Sequence, residues 1–192
     1  MRIAIDYTPA VHQGAGIGRH TRGLVGALAP LAAGHPITLL VFGRPPGGGM
    51  TAPPGADVRI VPLPNRWLTA GWHRLRLPVP VEIFSGRADL YHASDFVLPP
   101  VARARSLLTV HDLSFMTAPD CADASLRAYL SRVVPRSVAR AQHLLADSES
   151  TRRDLIDLLG VAPGQVTVVY PGVEARFRPQ PPEALARVRK RY

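Results

Sequence analysis

The sequence predicts an α/β fold: a doubly wound, mainly parallel sheet with helices on its faces. Three observations lead there. Short apolar runs alternate with segments of helical spacing along nearly the whole chain. The strongest run, "ITLLVFG" (37–43), is almost continuously apolar, as a strand buried on both faces must be. Glycine- and proline-rich turns punctuate the boundaries between the two kinds of segment.

The elements follow in order. "RIAID" (2–6) is a short strand, followed by the glycine-rich "HQGAGIGRHTRGL" (12–24). Leu24, Leu28 and Leu31 then recur at helical spacing, predicting a helix over about 19–32. After the 37–43 strand, "RPPGGGMTAPPG" (44–55) is a surface loop and "DVRIVPLP" (57–64) a third strand. A helix over about 66–77 ends against Pro78 and Pro80. "DLYHA" (89–93) and "RSLLTVHDL" (105–113) are strands, and 123–142 is a long amphipathic helix with a kink expected at Pro135. "HLLADS" (143–148) is a strand. The helix 149–160 has Ser148 placed as its N-cap and Gly160 as its stop. "GQVTVVYPGV" (164–173) is the last strand, and 183–192 begins another helix. In such a Rossmann-like arrangement ligands sit beyond the carboxyl ends of the strands. The polar groups there are Asp6 with the glycine loop, His92, His111 with Asp112, and Ser148 with Glu149.

Composition narrows the class. The 192 residues suit one domain, and 46% hydrophobic content suffices for a packed core. No apolar run approaches the ~18 residues that span a bilayer, and no secretory signal pattern opens the chain. The single cysteine, Cys121, precludes an internal disulfide and fits a reducing cytosol, so a cytoplasmic protein is expected. The formal net charge is +9, and 22 of the 23 basic residues are arginine, a bias typical of a GC-rich genome. The excess is concentrated in residues 1–88, where nine arginines face only Asp6, Asp57 and Glu82. A basic half implies an anionic partner: a phosphate, nucleic acid or an acidic membrane face. Nucleic acid ranks last, because the aromatic residues are not interleaved as a stacking platform.

The glycine loop fails the two familiar phosphate motifs. Counted from Gly14 or Gly16, the third glycine of G-x-G-x-x-G is replaced by Arg19 or Thr21. The spacing from Gly18 to Gly23 suits a P-loop, but Leu24 and Val25 stand where Lys and Ser/Thr belong. No G-x-S-x-G elbow occurs. A triad of Ser148, His111 and Asp112 is excluded, because adjacent strand residues point to opposite faces. What remains is a glycine turn that opens a helix, with free N–H groups suited to an anion or simply to a close turn of chain.

Four segments in order carry a resemblance: "GIGRHTRGLVGAL" (16–28), "DLYHASDFVLPP" (89–100), "TVHDLSFMTAPD" (109–120) and "ADSESTRRDLIDLLGVAPGQVTVVYPGVEARFRP" (146–179). Together the chain resembles the N-terminal domain of a glycosyltransferase family 4 enzyme of GT-B architecture, over residues 1–178. The resemblance implies a retaining, metal-independent transfer of a mannose- or glucose-like hexose. The donor would be a nucleotide-diphosphate sugar acting as co-substrate, with no further cofactor, and the acceptor a glycan or a lipid-linked molecule. The absence of a D-x-D motif agrees with metal independence: "DCAD" and "DLID" have the wrong spacing. By the same implication Gly16, Ile17 and Gly18 would bring backbone to the donor or acceptor, with Arg19 as a phosphate or acceptor partner. His111 would meet the donor sugar near the reacting centre, and Asp112 would hold or orient it. His92, Ser148 and Glu149 are further candidate contacts, with packing and helix capping as the plainer roles. The family's donor pocket belongs to a C-terminal domain, toward which residues 179–192 would lead. On that expectation this chain is one half of the cleft and transfers little by itself. The alternative is a non-catalytic sugar- or nucleotide-binding module that works with a partner chain. Finally, "RWLTAGWHRLRL" (66–77) is basic and aromatic without an acid. It is a candidate for docking at the inner membrane face, against the plainer expectation that Trp67 and Trp72 both pack on the sheet.

Overall fold

The computed structural model describes residues 1–48, 50, 52–121, 123–174, 176–179 and 181–191. Seven strands form one sheet: β1 (Ile3–Asp6), β2 (Ile37–Phe42), β3 (Ala56–Val61), β4 (Leu90–Ala93), β5 (Arg105–Val110), β6 (His143–Ala146) and β7 (Val166–Val168). Their order is β3-β2-β1-β4-β5-β6-β7, and every pairing is parallel. The expected α/β, Rossmann-like sheet is therefore present, and among the described residues it is wholly parallel. Strand order reverses between β1 and β4, which opens a crevice at their carboxyl ends.

Alternation along the strands builds two apolar layers. Ile3 and Ile5 of β1, with Ile37, Leu39 and Val41 of β2, pack with Val25 and Ala29 on one face. Ala4, Leu40, Phe42, Tyr91, Leu108 and Val110 face the other layer, with Trp72, Val134 and Leu155. The helices are α1 (Thr8–His12), α2 (Gly16–Leu31), α3 (Asn65–Thr69), α4 (Glu82–Ser85), α5 (Ser114–Thr117), α6 (Ala124–Arg140), α7 (Glu149–Leu159) and α8 (Pro182–Arg191).

Local chemistry sets their ends. Asp123 caps α6, accepting from the N–H groups of Ser125 (2.9 Å) and Leu126 (3.1 Å). Ser148 caps α7 through the Thr151 N–H at 3.1 Å, and Gly160 ends it in the left-handed region (φ 66°), as the sequence predicts.

The structure departs from the sequence reading in several places. A short helix, α1, follows β1 where only loop was expected. The α2 helix begins at Gly16, so "GIG" is its first turn and not a preceding loop. The segment 66–77 is a short helix that widens into a π turn over Ala70–Arg74. The long helix expected over 123–142 is present as α6, with Pro135 inside it. The strands expected at 105–113 and 164–173 are shorter, 105–110 and 166–168. Tyr192, the last residue of the expected tail helix, lies outside the described residues.

Candidate active site

The site is built at the strand ends. β5 and β6 pair with Val110 opposite Ala146, so the next residue of each chain segment, His111 and Asp147, emerge side by side. His111 Nδ1–H donates to Asp147 Oδ2 at 2.7 Å, and Nε2–H donates to the Ser94 carbonyl at 3.0 Å. A carboxylate and a carbonyl can only accept, so both bonds form only with both ring nitrogens protonated, and the arrangement favours the imidazolium. Burial opposes this charge. The Asp147 hydrogen bond and charge, the Ser94 carbonyl and the Asp95 charge outweigh it, and the pKa of His111 is raised.

Two rings frame His111. Phe96 lies edge-on at 5.4 Å and His20 at 5.2 Å between centroids. His20 Nε2 stands 3.9 Å from the other Asp147 oxygen, and its Nδ1 is buried without a partner. Burial lowers the His20 pKa against the pull of Asp147, and the His111 charge lowers it further. Asp147 thus holds one charged and one neutral histidine. Phe96 has φ 50°, a left-handed conformation that bulky residues rarely adopt, stored directly beside this cluster.

A cavity of about 700 Å³ opens at the crevice between β1 and β4. Asp6, Tyr91 and Asp95 line it, with Ile17 from α2, Trp72 from the π turn and Tyr129 from α6. Burial pushes the Asp6 carboxyl up to about 6, against its Thr8 hydrogen bonds and with Asp95's charge adding. Asp95 is raised by burial too, despite accepting from Gln13 Nε2 at 3.0 Å. Among the described residues no group of three or more His, Cys, Asp or Glu could hold a metal ion.

The candidates from the sequence divide. His111 is at the centre, and Ile17 lines the cavity. Gly18 makes a close approach, but to chain: a Cβ there would lie 2.0 Å from the Gln13 carbonyl oxygen and 2.7 Å from that of Pro9. Gly16 has open space around it. Arg19 pairs with Glu174 at 3.6 Å. Asp112 accepts from the Ser114 N–H at 2.8 Å, so the carboxylate that holds His111 is Asp147. His92 is not at the rim. It is 4% exposed and bonded to Thr109 Oγ1 at 2.8 Å, and burial lowers its pKa to about 4, with the charges of His20 and His111 adding to the fall. Ser148 is engaged in its cap, and Glu149 lies 3.6 Å from Arg152 in the first turn of α7. Sequence reasoning missed Asp147, His20, Tyr91 and Asp95. The one available signal was that Asp147 ends a predicted strand beside Ser148, as His111 ends another.

Comparison with known proteins agrees with this architecture. Sucrose-phosphate synthase from Thermosynechococcus elongatus superposes over 98% of this chain and 52% of its own, with TM-score 0.66 at 13% identity. HepE of Anabaena, in complex with UDP and glucose, superposes over 99% of this chain and 49% of its own, with TM-score 0.53 at 15% identity. A D-inositol 3-phosphate glycosyltransferase of Kineococcus radiotolerans is 47% identical over 53 residues, 27% of this chain and 12% of that protein. The chain thus spans about half the length of the solved structures it matches. The sequence model described as Glycosyltransferase Family 4 matches residues 14–177, and the chain belongs to that family.

Proposed function

We propose that this chain forms the acceptor-side wall of a retaining, metal-independent hexosyltransferase. It would move a mannose- or glucose-like residue from a nucleotide-diphosphate sugar to a glycan or lipid-linked acceptor. The opposite wall, a C-terminal donor-binding domain, would close over the strand-end rim. The observation that carries the reading is the doubly bonded His111 at that rim, next to the cavity, in a family 4 chain. UDP and UDP-glucose bound to structural neighbours of the same fold support a nucleotide-sugar donor.

The geometry favours an electrostatic role for His111. Both of its N–H groups are committed to protein acceptors, so it is poorly placed to shuttle a proton. It is a fixed positive charge in a largely buried position, where charge–charge interactions are strong. Transfer of a glycosyl group breaks the bond from the anomeric carbon to a diphosphate oxygen and forms one to the acceptor oxygen, whose proton passes to the leaving diphosphate. Negative charge gathers on the leaving diphosphate, and a preorganised cation near it lowers the barrier. Asp147 and Ser94 act as positioning groups that keep the ring charged and fixed.

The test is turnover by the chain joined to a family C-terminal domain. His111→Ala is expected to lower kcat by a hundredfold or more, in line with loss of one preorganised donor or charge, with the melting temperature little changed. Transfer at an undiminished rate would refute the role.

A second partner, an anionic membrane surface, is supported by the exposed segment 66–77. Trp67 is 68% and Leu75 67% exposed, among Arg66, Arg74 and Arg76. Beside them Arg76, Arg136 and Arg140 line a shallower groove with Leu77 and Pro100.

A further inference from the structure

The sheet side of the large cavity holds chemistry that a positively charged rim does not explain. Tyr91, on the central strand β4, is 0% exposed, and its hydroxyl is buried in the cavity wall with no hydrogen-bond partner. An unpaired buried hydroxyl is costly, and native structures seldom keep one without a reason. Two carboxylates, Asp6 and Asp95, share the same wall, both with raised pKa because burial disfavours their charge. Three polar groups are thus held at the bottom of a pocket whose other walls include Phe42, Trp72 and Tyr129.

The His111 charge favours ionised Asp95, yet both His111 N–H groups are bound to Asp147 and Ser94, and the basic groups that line the pocket form no ion pair with Asp6 or Asp95 among the described residues. Arg66 is exposed. His12 is held by its Nε2 at 3.0 Å from the Phe42 carbonyl. His73 is kept neutral by burial and by the neighbouring Arg140, its pKa lowered to about 4. A phosphate seated on the sheet side would face two carboxylates in a poorly hydrated place. A neutral ring with several hydroxyls meets the opposite situation, because its O–H groups donate to carboxylates and its C–H faces lie on aromatic rings.

Resting on the transferase reading, the geometry points to an acceptor whose seated part is an uncharged, polyhydroxylated ring. Ring hydroxyls donate to Asp6 and Asp95, one hydroxyl exchanges a hydrogen bond with Tyr91, and the ring packs on Phe42, Trp72 and Tyr129. The ligand class is a sugar or cyclitol with no phosphate on its seated face. Any charged or lipid portion of the acceptor lies outward, past Arg66.

Saturation-transfer NMR on this chain tests the inference without any donor turnover. The probes are glucose and myo-inositol, each against its monophosphate. The neutral rings are expected to bind, and each phosphate ester more weakly than its parent. Tyr91→Phe keeps the ring and removes only the hydroxyl. It is expected to weaken binding of the neutral probes about tenfold, the usual loss when one buried hydrogen bond goes unmade. Asp95→Asn provides a second variant, with a similar loss expected, and circular dichroism checks that both fold. Tighter binding of either phosphate ester than its parent would overturn the proposal. So would unchanged affinity in both folded variants, or no saturation of any probe. Binding of the neutral rings by this chain, with no transfer once it is joined to a family C-terminal domain, would sink the transferase reading alone. Transfer confined to a phosphorylated acceptor would sink this inference and leave that reading standing.

Discussion

At the residue scale the site turns on Asp147. Its carboxylate is shared by His111 at 2.7 Å and His20 at 3.9 Å, and the nearer contact keeps His111 charged. A histidine with a raised folded pKa adds stability below its ordinary pKa of 6.5, and the contribution is lost as pH rises through the folded value. Asp147→Asn removes the charge and the strong acceptor together. The His111 titration, followed by NMR of its ring protons, is expected to move to lower pH, and the alkaline limb of transfer activity with it. An unmoved titration would mean that Ser94 and Asp95 suffice. Asp6 also holds its proton more tightly in the fold, but for the opposite reason: burial disfavours its charged form. Its pKa of about 6 lies above the ordinary 3.8, so the folded state holds its proton more tightly than the unfolded chain. Ionising it in the fold costs roughly 3 kcal/mol above pH 6, and that cost fades as pH falls from 6 toward 4. Asp6→Asn can still accept from the Thr8 N–H. It should therefore raise stability in denaturant by up to about that amount at pH 7.5 and by little at pH 4. No gain at pH 7.5 would contradict the buried-carboxylate account. His111 and Asp6 were legible in the sequence because each ends a predicted strand. Asp147 and Ser94 were not tied to His111, because that link depends on which strands lie side by side and in what register.

At the scale of elements, the first turn of α2 shows what its glycines do. Gly18 is where α2 rests on the end of α1, and Arg22 of the same helix donates to the Gln13 carbonyl at 3.1 Å and to that of Ala10. No side chain fits between Gly18 and the Gln13 oxygen. Gly18→Ala should therefore destabilise by about 2 kcal/mol or more, since backbone has to move. Gly16→Ala meets nothing within 4 Å and gains helix propensity, so it should be neutral or stabilising by up to about 1 kcal/mol. Urea midpoints of the two variants decide it, and equal effects would remove the packing argument. The contact was invisible in sequence because α1 was. Five residues, Thr8–His12, with a proline near the start are too few for a helical period to register. The sheet was far easier to read. Its strands are apolar runs with turn residues at both ends, and the long-range pairing only ordered them. The long helix expected over 123–142 is α6, which packs Val133, Val134 and Val138 into the core on both sides of Pro135.

At the scale of the whole molecule, the proposed membrane partner turns on the exposed residues of segment 66–77. The net charge of +9 alone says little, because arginine is abundant everywhere in the chain. The two tryptophans of 66–77 separate the possibilities. Trp72 is buried, and its Nε1–H donates to the Val79 carbonyl at 2.8 Å, so it packs as the plainer expectation had it. Trp67 departs from that expectation and stands out in solvent, and Leu75 and Leu77 of the same segment are exposed as well. Each arginine close to an anionic surface adds about 1 kcal/mol, and inserted apolar side chains add to this. On the proposed membrane reading, Arg66, Arg74 and Arg76 with Trp67 and Leu75 would give salt-sensitive, reversible binding. The protein is expected to float with vesicles rich in phosphatidylglycerol at low salt, to be released near 0.5 M NaCl, where screening lengths shrink to a few ångströms, and to ignore vesicles of phosphatidylcholine. Trp67 fluorescence should shift to the blue on binding, while the already buried Trp72 contributes a constant background. Trp67→Ala should abolish the shift, and Arg74→Ala with Arg76→Ala should lower the salt needed for release. A chain that stays in solution with anionic vesicles at low salt has no such membrane partner, and its exposed Trp67 then belongs to some other contact.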